Sequence, residues 1–128
     1  MKPKIYLSNA FSLSMLSSFP AYLRVREVSL EDVKKLLSCE SNFVSAVGHQ
    51  ATAELLSRLL NIPIPFNRIQ VSLNTQDILV VFQLTTRLEE GKILTEEELV
   101  KLQYKFLLVI NDIPVRIYIG GDKKRRRK

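Results

Sequence analysis

The sequence contains few of the residues that most often carry specialised chemistry. Among 128 residues there are one cysteine (Cys39), one histidine (His49), four glycines and no tryptophan. A single cysteine cannot form an internal disulfide, which is typical of a protein from a reducing compartment. One histidine and one cysteine do not make a zinc-binding pattern, and there is no phosphate-binding glycine loop. We therefore expect neither a metal nor a cofactor.

Long apolar runs are also absent. No stretch approaches the ~18 apolar residues that suggest a membrane-spanning helix. Near the amino terminus, polar Ser8 and Asn9 interrupt the short apolar run that follows Lys4, which is unlike a signal peptide. A hydrophobic fraction of 46% and a charged fraction of 25% are ordinary for a globular protein. The sequence is expected to form one domain with no membrane contact.

The net charge of +6 comes from one end of the chain. Six of the 19 basic residues are residues 123–128, which leaves 13 basic residues against 13 acidic ones. The body is therefore formally neutral, and we do not expect it to bind a long polyanion through many phosphates. We predict a domain over residues 1–119 and a disordered basic tail over residues 120–128, because its like charges repel. The tail is either a solvated terminus or a weak nucleic-acid contact.

Helix and strand patterns alternate along the chain. Ser29 with Asp32, and Thr95 with Glu98, have the spacing of capping boxes and mark two helix starts. A third helix is expected from about His49 to Leu60, and a brief helical stretch follows Asn9 or Ser12. The order predicts a single-domain α/β fold with a mixed, mostly central β-sheet flanked by helices. Strands are expected within KIYLSNAF, AYLRVREV, NFVSAVG, RIQVSL, DILVVFQLTT, YKFLLVI and, as an edge strand, PVRIYIG.

The only histidine lies where a helix is expected to begin. His49 follows Gly48 and precedes Ala53, Leu56 and Leu60, which recur at helical spacing. The first N–H groups of a helix lack intrahelical partners and its dipole is positive there, so a phosphate can bind. Gly48 lets a ligand approach the backbone. A lone histidine is more often structural, but this position makes His49 a candidate proton donor, since an imidazole titrates near neutral pH.

A second candidate site lies between the apolar strand 78–84 and the helix that starts at Thr95. It contains Arg87, Glu89 and Glu90 in the stretch TTRLEEGKIL. A strand-to-helix connection often carries functional side chains. Arginine suits a phosphate, and a glutamate can orient or deprotonate a hydroxyl. The alternative is a solvated charged loop. Arg68, after the proline-rich connection, is a further candidate for phosphate binding.

Three segments of the sequence resemble one known family. They are IYLSNAFSLSML, SAVGHQATAELLSRLL and VVFQLTTRLEEGKIL before TEEEL, and together they lie within residues 4–110. In this order they are similar to the anti-CRISPR ring nucleases of archaeal viruses. The combination of Gly-His-x-x-Thr-Ala with Arg-Leu-x-Glu-Gly-Lys carries the resemblance, because either motif alone is weak.

The resemblance implies an activity and a partner. Members of this family are homodimers that bind cyclic tetra-adenylate, the second messenger of type III CRISPR defence. They linearise the ring without a metal and so silence the effectors that it activates. If the resemblance holds, the protein is an enzyme that works in the cytoplasm of the infected host cell and releases linear di-adenylates with a 2′,3′-cyclic phosphate.

The resemblance also assigns roles to residues. His49 matches the catalytic histidine, Glu90 the active-site glutamate and Arg87 the neighbouring phosphate-binding arginine. Glu89 stands where many relatives have proline, so either Glu89 or Glu90 can be the glutamate that faces the ring. The remaining candidates for ligand binding are Asn9, Ser12, Gly48 and Arg68.

Two other functions remain open from the sequence. The basic tail suits a viral protein that binds nucleic acid or a protein partner, with the helix end only structural. A protein that sequesters the ring without cleaving it is the other alternative, because Glu89 departs from the family pattern.

Overall fold

Five strands form one mixed sheet in a computed structural model that describes residues 3–39, 42–85 and 93–113. Their order across the sheet is β2-β5-β4-β1-β3. The central strand β1 is parallel to β3 and β4, whereas β5 is antiparallel to β2 and β4. The predicted single-domain α/β fold with a mixed sheet is thus confirmed. The strands are β1 (Ile5–Ser8), β2 (Tyr22–Val28), β3 (Val44–Ser45), β4 (Ile78–Leu84) and β5 (Tyr104–Asp112).

The three α-helices begin where the sequence predicts, and two of them begin at the predicted capping residues. The Ser29 hydroxyl accepts a hydrogen bond from the Asp32 amide at 3.1 Å, and Thr95 and Glu98 form both bonds of a capping box. A single 3₁₀ turn at Leu13–Met15, capped by Ser12, occupies the brief helical stretch. The helices are α1 (Leu30–Cys39), α2 (Gln50–Leu60) and α3 (Glu96–Lys101).

The core has two parts because alternate residues of each strand face opposite sides of the sheet. On one side Leu7, Phe82 and Phe106 pack against Leu37 of α1 and Leu56 of α2. Apolar residues flanking and within α3 also pack on this side, so all three helices lie on one face. The other face is covered by loops, whose Leu16, Val71 and Leu73 pack on Tyr6, Leu79, Val81 and Val109.

The strand predicted for RIQVSL is wrong. Residues 68–73 contribute one isolated bridge, in which Leu73 pairs with Leu16, and no strand of the sheet. Their apolar side chains nevertheless pack on the sheet, because Val71 and Leu73 are buried against its second face while Ile69 is exposed. Both sides of β4 are already paired, with β1 and β5, so this segment covers the sheet instead of extending it.

β2 forms one end of the described sheet, and its central residues are exposed. They include Arg24, Val25 and Arg26. The Arg24 guanidinium forms an ion pair with the Asp112 carboxylate on the neighbouring β5, with Nη2 and Oδ2 3.0 Å apart. The predicted edge strand PVRIYIG, the boundary at residue 119 and the basic tail 120–128 lie outside the described residues.

Candidate functional site

The candidate site lies at the edge of the sheet where the parallel strands end. β1, β3 and β4 run in the same direction, so the loops that follow them leave from the same edge. Ligands of open α/β sheets bind at this edge. Asn9 follows β1 directly, and Gly48 and His49 follow β3 by three and four residues. The sheet therefore places Asn9, which follows β1, at the same edge as Gly48 and His49, which follow β3.

His49 is the N-cap residue of α2 and has an extended backbone, with φ −138° and ψ 121°. Its side chain makes no capping hydrogen bond to the helix, and the helical ladder begins with the Ala53 amide donating to the His49 carbonyl at 3.0 Å. The amides of the three residues between them lack intrahelical partners. The His49 side chain is partly exposed and lies at the same helix end as these amides.

Arg68 lies against Gly48. A Cβ atom built on Gly48 would be 3.4 Å from Arg68 Cγ and 3.8 Å from its Nε. The arginine stem therefore passes over the glycine, and its guanidinium group begins beside the start of α2. The structure thus brings Arg68 to Gly48, which lies 20 positions earlier in the sequence and directly precedes His49. A guanidinium beside the first amides of a helix adds a second source of positive charge for an anion.

Two polar residues that the sequence did not reveal hold the Arg68 segment in place. The Asn67 amide donates to the Val47 carbonyl at 2.9 Å, and its side-chain nitrogen donates to the Ser45 carbonyl at 2.7 Å. The Ser45 hydroxyl donates to the Pro65 carbonyl at 2.7 Å. These bonds fix the loop against β3. No local sequence pattern predicts these bonds, because their partners are about 20 residues apart in the sequence.

Thr52 is a third residue that had no assigned role. It is 6% exposed, and its Oγ1 lies 3.4 Å from Nδ1 of His49. It is the threonine of the Gly-His-x-x-Thr-Ala motif, three positions after the histidine, where a helix brings side chains together. That spacing is the sequence signal that could have identified the contact.

Asn9 and Ser12 lie in the loop after β1. The buried Ser8 hydroxyl bonds the backbone of Ala10 and so fixes the turn around Asn9, which is exposed. The exposed Ser12 hydroxyl accepts from the Ser14 amide at 3.2 Å and lies 2.6 Å from the Ser14 hydroxyl. Ser12 therefore has a structural role in capping the 3₁₀ turn, whereas Asn9 is placed at the candidate edge without such a role.

Arg87, Glu89 and Glu90 lie outside the described residues, within the gap 86–92. The residues on both sides of the gap are anchored. The Thr85 amide and hydroxyl donate to the Gln103 carbonyl at 3.2 and 3.1 Å. On the other side Arg58 of α2 donates to the Leu94 carbonyl at 2.7 Å. The segment that carries the second motif thus starts after β4 at the candidate edge and returns to a residue that α2 holds.

A separate cleft of about 680 Å³ lies between the start of α1, α3 and β5. Tyr104 lines it, and burial raises the pKa of the Tyr104 hydroxyl. Of the predicted site residues that the structure describes, which are Asn9, Ser12, Gly48, His49 and Arg68, none lines this cleft. In the described parts of the chain, no three metal-ligating side chains are grouped together, and no helix has the length and apolar character needed to span a membrane.

Comparison with known proteins identifies a set of relatives. A family model described as STIV B116-like matches residues 5–106. Protein 26 of Sulfolobus islandicus filamentous virus is 40% identical over 105 residues, which are 81% of this chain and 88% of that protein. The structure of B116 of Sulfolobus turreted icosahedral virus superposes with a TM-score of 0.76 at 30% identity and covers 84% of this chain and 98% of B116.

The relatives are mainly proteins of archaeal viruses, but they extend to bacteria. ORF117 of Acidianus two-tailed virus is 42% identical over 81 residues, or 62% of this chain and 69% of that protein. YddF of Bacillus subtilis is 31% identical over 101 residues, or 78% of this chain and 94% of YddF. The match to B116 covers most of both chains, so the same fold is present in both proteins.

Proposed function

The chain belongs to the STIV B116-like family, and we propose that it is a metal-independent ring nuclease that cleaves cyclic tetra-adenylate. The observation that supports this most is the position of His49, at a helix start whose first amides lack intrahelical partners and with Arg68 alongside. The products are linear di-adenylates with a 2′,3′-cyclic phosphate. In an infected host cell this reaction switches off type III CRISPR signalling in the cytoplasm.

The proposed ligand is bound by local positive groups on a neutral body. The amides at the start of α2 and the helix dipole attract one phosphate, as at other helix N-termini. Arg68 adds a full charge beside Gly48, where the missing Cβ leaves the backbone accessible. Asn9 supplies an amide group from the neighbouring loop at the same edge. A small polyanion can therefore bind here although residues 1–122 are formally neutral.

The reaction needs a nucleophile, a leaving group and proton transfers, but no cofactor. A ribose 2′-oxygen attacks the adjacent phosphorus, the new P–O bond closes the 2′,3′-cyclic phosphate, and the bond to the next nucleotide's 5′-oxygen breaks. His49 as imidazolium donates its proton to that departing oxygen. General acid catalysis of this kind contributes roughly 10²–10⁴-fold. Binding the ring in a geometry that aligns the attack supplies a further part of the rate.

Residues of the segment 86–92 complete the proposal. Arg87 stabilises the charge that develops on the phosphate. Glu90 orients the 2′-hydroxyl and accepts its proton, with Glu89 as the alternative for this role. Both glutamates follow β4, which ends at the edge where Asn9, Gly48 and His49 lie.

A homodimer fits both the ligand and the surface of this chain. A cyclic tetranucleotide can adopt two-fold symmetry, and a two-fold interface presents each group twice, so two copies of His49 reach opposite phosphates. Exposed apolar side chains lie in the same two loops as the candidate ligand contacts. Leu13 follows Ser12 and is 63% exposed, and Phe66 and Ile69 flank Arg68 with 47% and 42% exposure. We propose that a second copy covers them.

The double substitution Phe66→Ser and Ile69→Ser tests this interface. In light scattering we expect the wild-type protein to have twice the chain mass of 14.7 kDa and the double variant to shift towards the monomer, because exposed apolar area at the contact is lost. Val100→Ser is a matched control, since Val100 is exposed on α3 outside these loops. A double variant that remains fully dimeric would exclude these side chains from the interface.

Product analysis tests the activity. We expect the purified protein to convert labelled cyclic tetra-adenylate into di-adenylates with cyclic phosphate ends, at the same rate with and without a chelator. A stable complex with intact ring would identify a sequestering protein instead. Deleting residues 122–128 tests the remaining alternative, which is nucleic-acid binding by the basic tail. The deletion removes such binding and leaves ring cleavage in place.

A further inference from the structure

We propose that Thr52 is a positioning residue that orients the imidazole of His49, an inference that rests on the proposed ring nuclease function. The Thr52 hydroxyl lies 3.4 Å from Nδ1 of His49. A hydrogen bond at Nδ1 directs the opposite nitrogen, Nε2, away from the helix. Nε2 is then the atom that delivers the proton to the leaving 5′-oxygen.

Burial makes Thr52 suitable for this role. It is 6% exposed in the first turn of α2, and the next residue, Ala53, is buried in the core. A β-branched side chain in a helix has few allowed rotamers, and burial restricts the motion of the Thr52 side chain further. His49, in contrast, lies at the N-cap with a partly exposed side chain. A restricted group therefore contacts a side chain whose orientation decides the chemistry.

A hydroxyl also suits the protonation states that the reaction requires. Its oxygen accepts a hydrogen bond from Nδ1–H of the imidazolium. After Nε2 has given its proton to the leaving oxygen, Nδ1 keeps its proton and the same hydrogen bond persists. The ring thus needs no reorientation before Nε2 takes a new proton from water. An apolar side chain of the same shape provides the packing without this bond.

The pair Thr52→Val and Thr52→Ser separates the hydrogen bond from the packing. Valine keeps the shape and removes the hydroxyl, whereas serine keeps the hydroxyl. Because the chain has one histidine, ¹⁵N-labelled protein gives one pair of imidazole nitrogen signals. We expect the Nδ1 signal and the ratio of the two neutral tautomers to change in Thr52→Val and to stay near wild type in Thr52→Ser.

The cleavage assay gives a second readout. We expect kcat to fall about three- to ten-fold in Thr52→Val, as the loss of one hydrogen bond implies, with KM little changed and most of the rate restored in Thr52→Ser. Identical nitrogen spectra in wild type and Thr52→Val, in a variant that melts like the wild type, would overturn the role of Thr52. If the spectra differ as expected but the wild-type protein cleaves no ring, the contact stands and the proposed function fails.

Discussion

Replacing His49 with alanine should lower the rate of ring cleavage by about 10²–10⁴-fold, because the departing 5′-oxygen loses its proton donor. Binding of the ring should change little, since the helix amides and Arg68 remain. The measurement is single-turnover cleavage of labelled cyclic tetra-adenylate together with its dissociation constant. Added imidazole should restore part of the rate, because it can enter the space that the side chain leaves.

Arg68→Ala provides the matched contrast to His49→Ala. Loss of the Arg68 guanidinium removes a charge-assisted contact worth about 1.5–3 kcal/mol, so the ring should bind roughly 10–150-fold more weakly. The two variants thus separate chemistry from binding at neighbouring positions. His49 is excluded as the acid if its alanine variant cleaves the bound ring at the wild-type rate without added metal.

Phe82→Ala should strongly destabilise the fold, because Phe82 fills the centre of the core between the sheet and the helices. Phe82 is 1% exposed in β4, and its ring centroid lies 5.2 Å from that of Phe106 and 5.6 Å from that of Tyr104. Truncation leaves a cavity and removes two aromatic contacts. Such substitutions lower the free energy of unfolding by about 3–5 kcal/mol. Denaturant unfolding should show a lower midpoint with an unchanged slope.

Phe82→Leu is the control for that prediction. It keeps most of the apolar volume and should cost less than about 1.5 kcal/mol. A loss as large as that of the alanine variant would mean that ring geometry and not cavity formation dominates at this position. A small loss in both variants would show that the cluster of Phe82, Tyr104 and Phe106 relaxes around the missing side chain.

The fold could be predicted where the signal is local. Ser29 and Thr95 mark helix starts because their hydroxyls bond amides three residues away, and both helices begin there. The alternation in RIQVSL corresponds to the burial of Val71 and Leu73, but the segment forms no strand of the sheet. Whether Val71 and Leu73 pair in the sheet or cover its face depends on β1 and β5 occupying both sides of β4. No pattern within the segment contains that information.

The candidate site could likewise be predicted from the sequence only where the signal is local. Gly48 and His49 could be placed at a helix start because the signal spans one turn of helix. The approach of Arg68 to Gly48 depends on Asn67 and Ser45, whose hydrogen bonds join distant segments. The resemblance assigned a role to Arg68, but only the folded chain shows which residue it contacts.

The sequence of β2 restricts how copies of the chain can associate. If the β2 strands of two copies paired antiparallel about a two-fold axis, directly opposed residues would lie on the same face of the sheet. The register with the most residue pairs is centred on Val25, and it places Arg24 of each copy opposite Arg26 of the other. Moving the axis to either neighbour opposes two Arg24 or two Arg26 side chains. Like charges directly across a ladder are destabilising. These arginines therefore disfavour pairing of a second molecule with β2, the end strand of the described sheet.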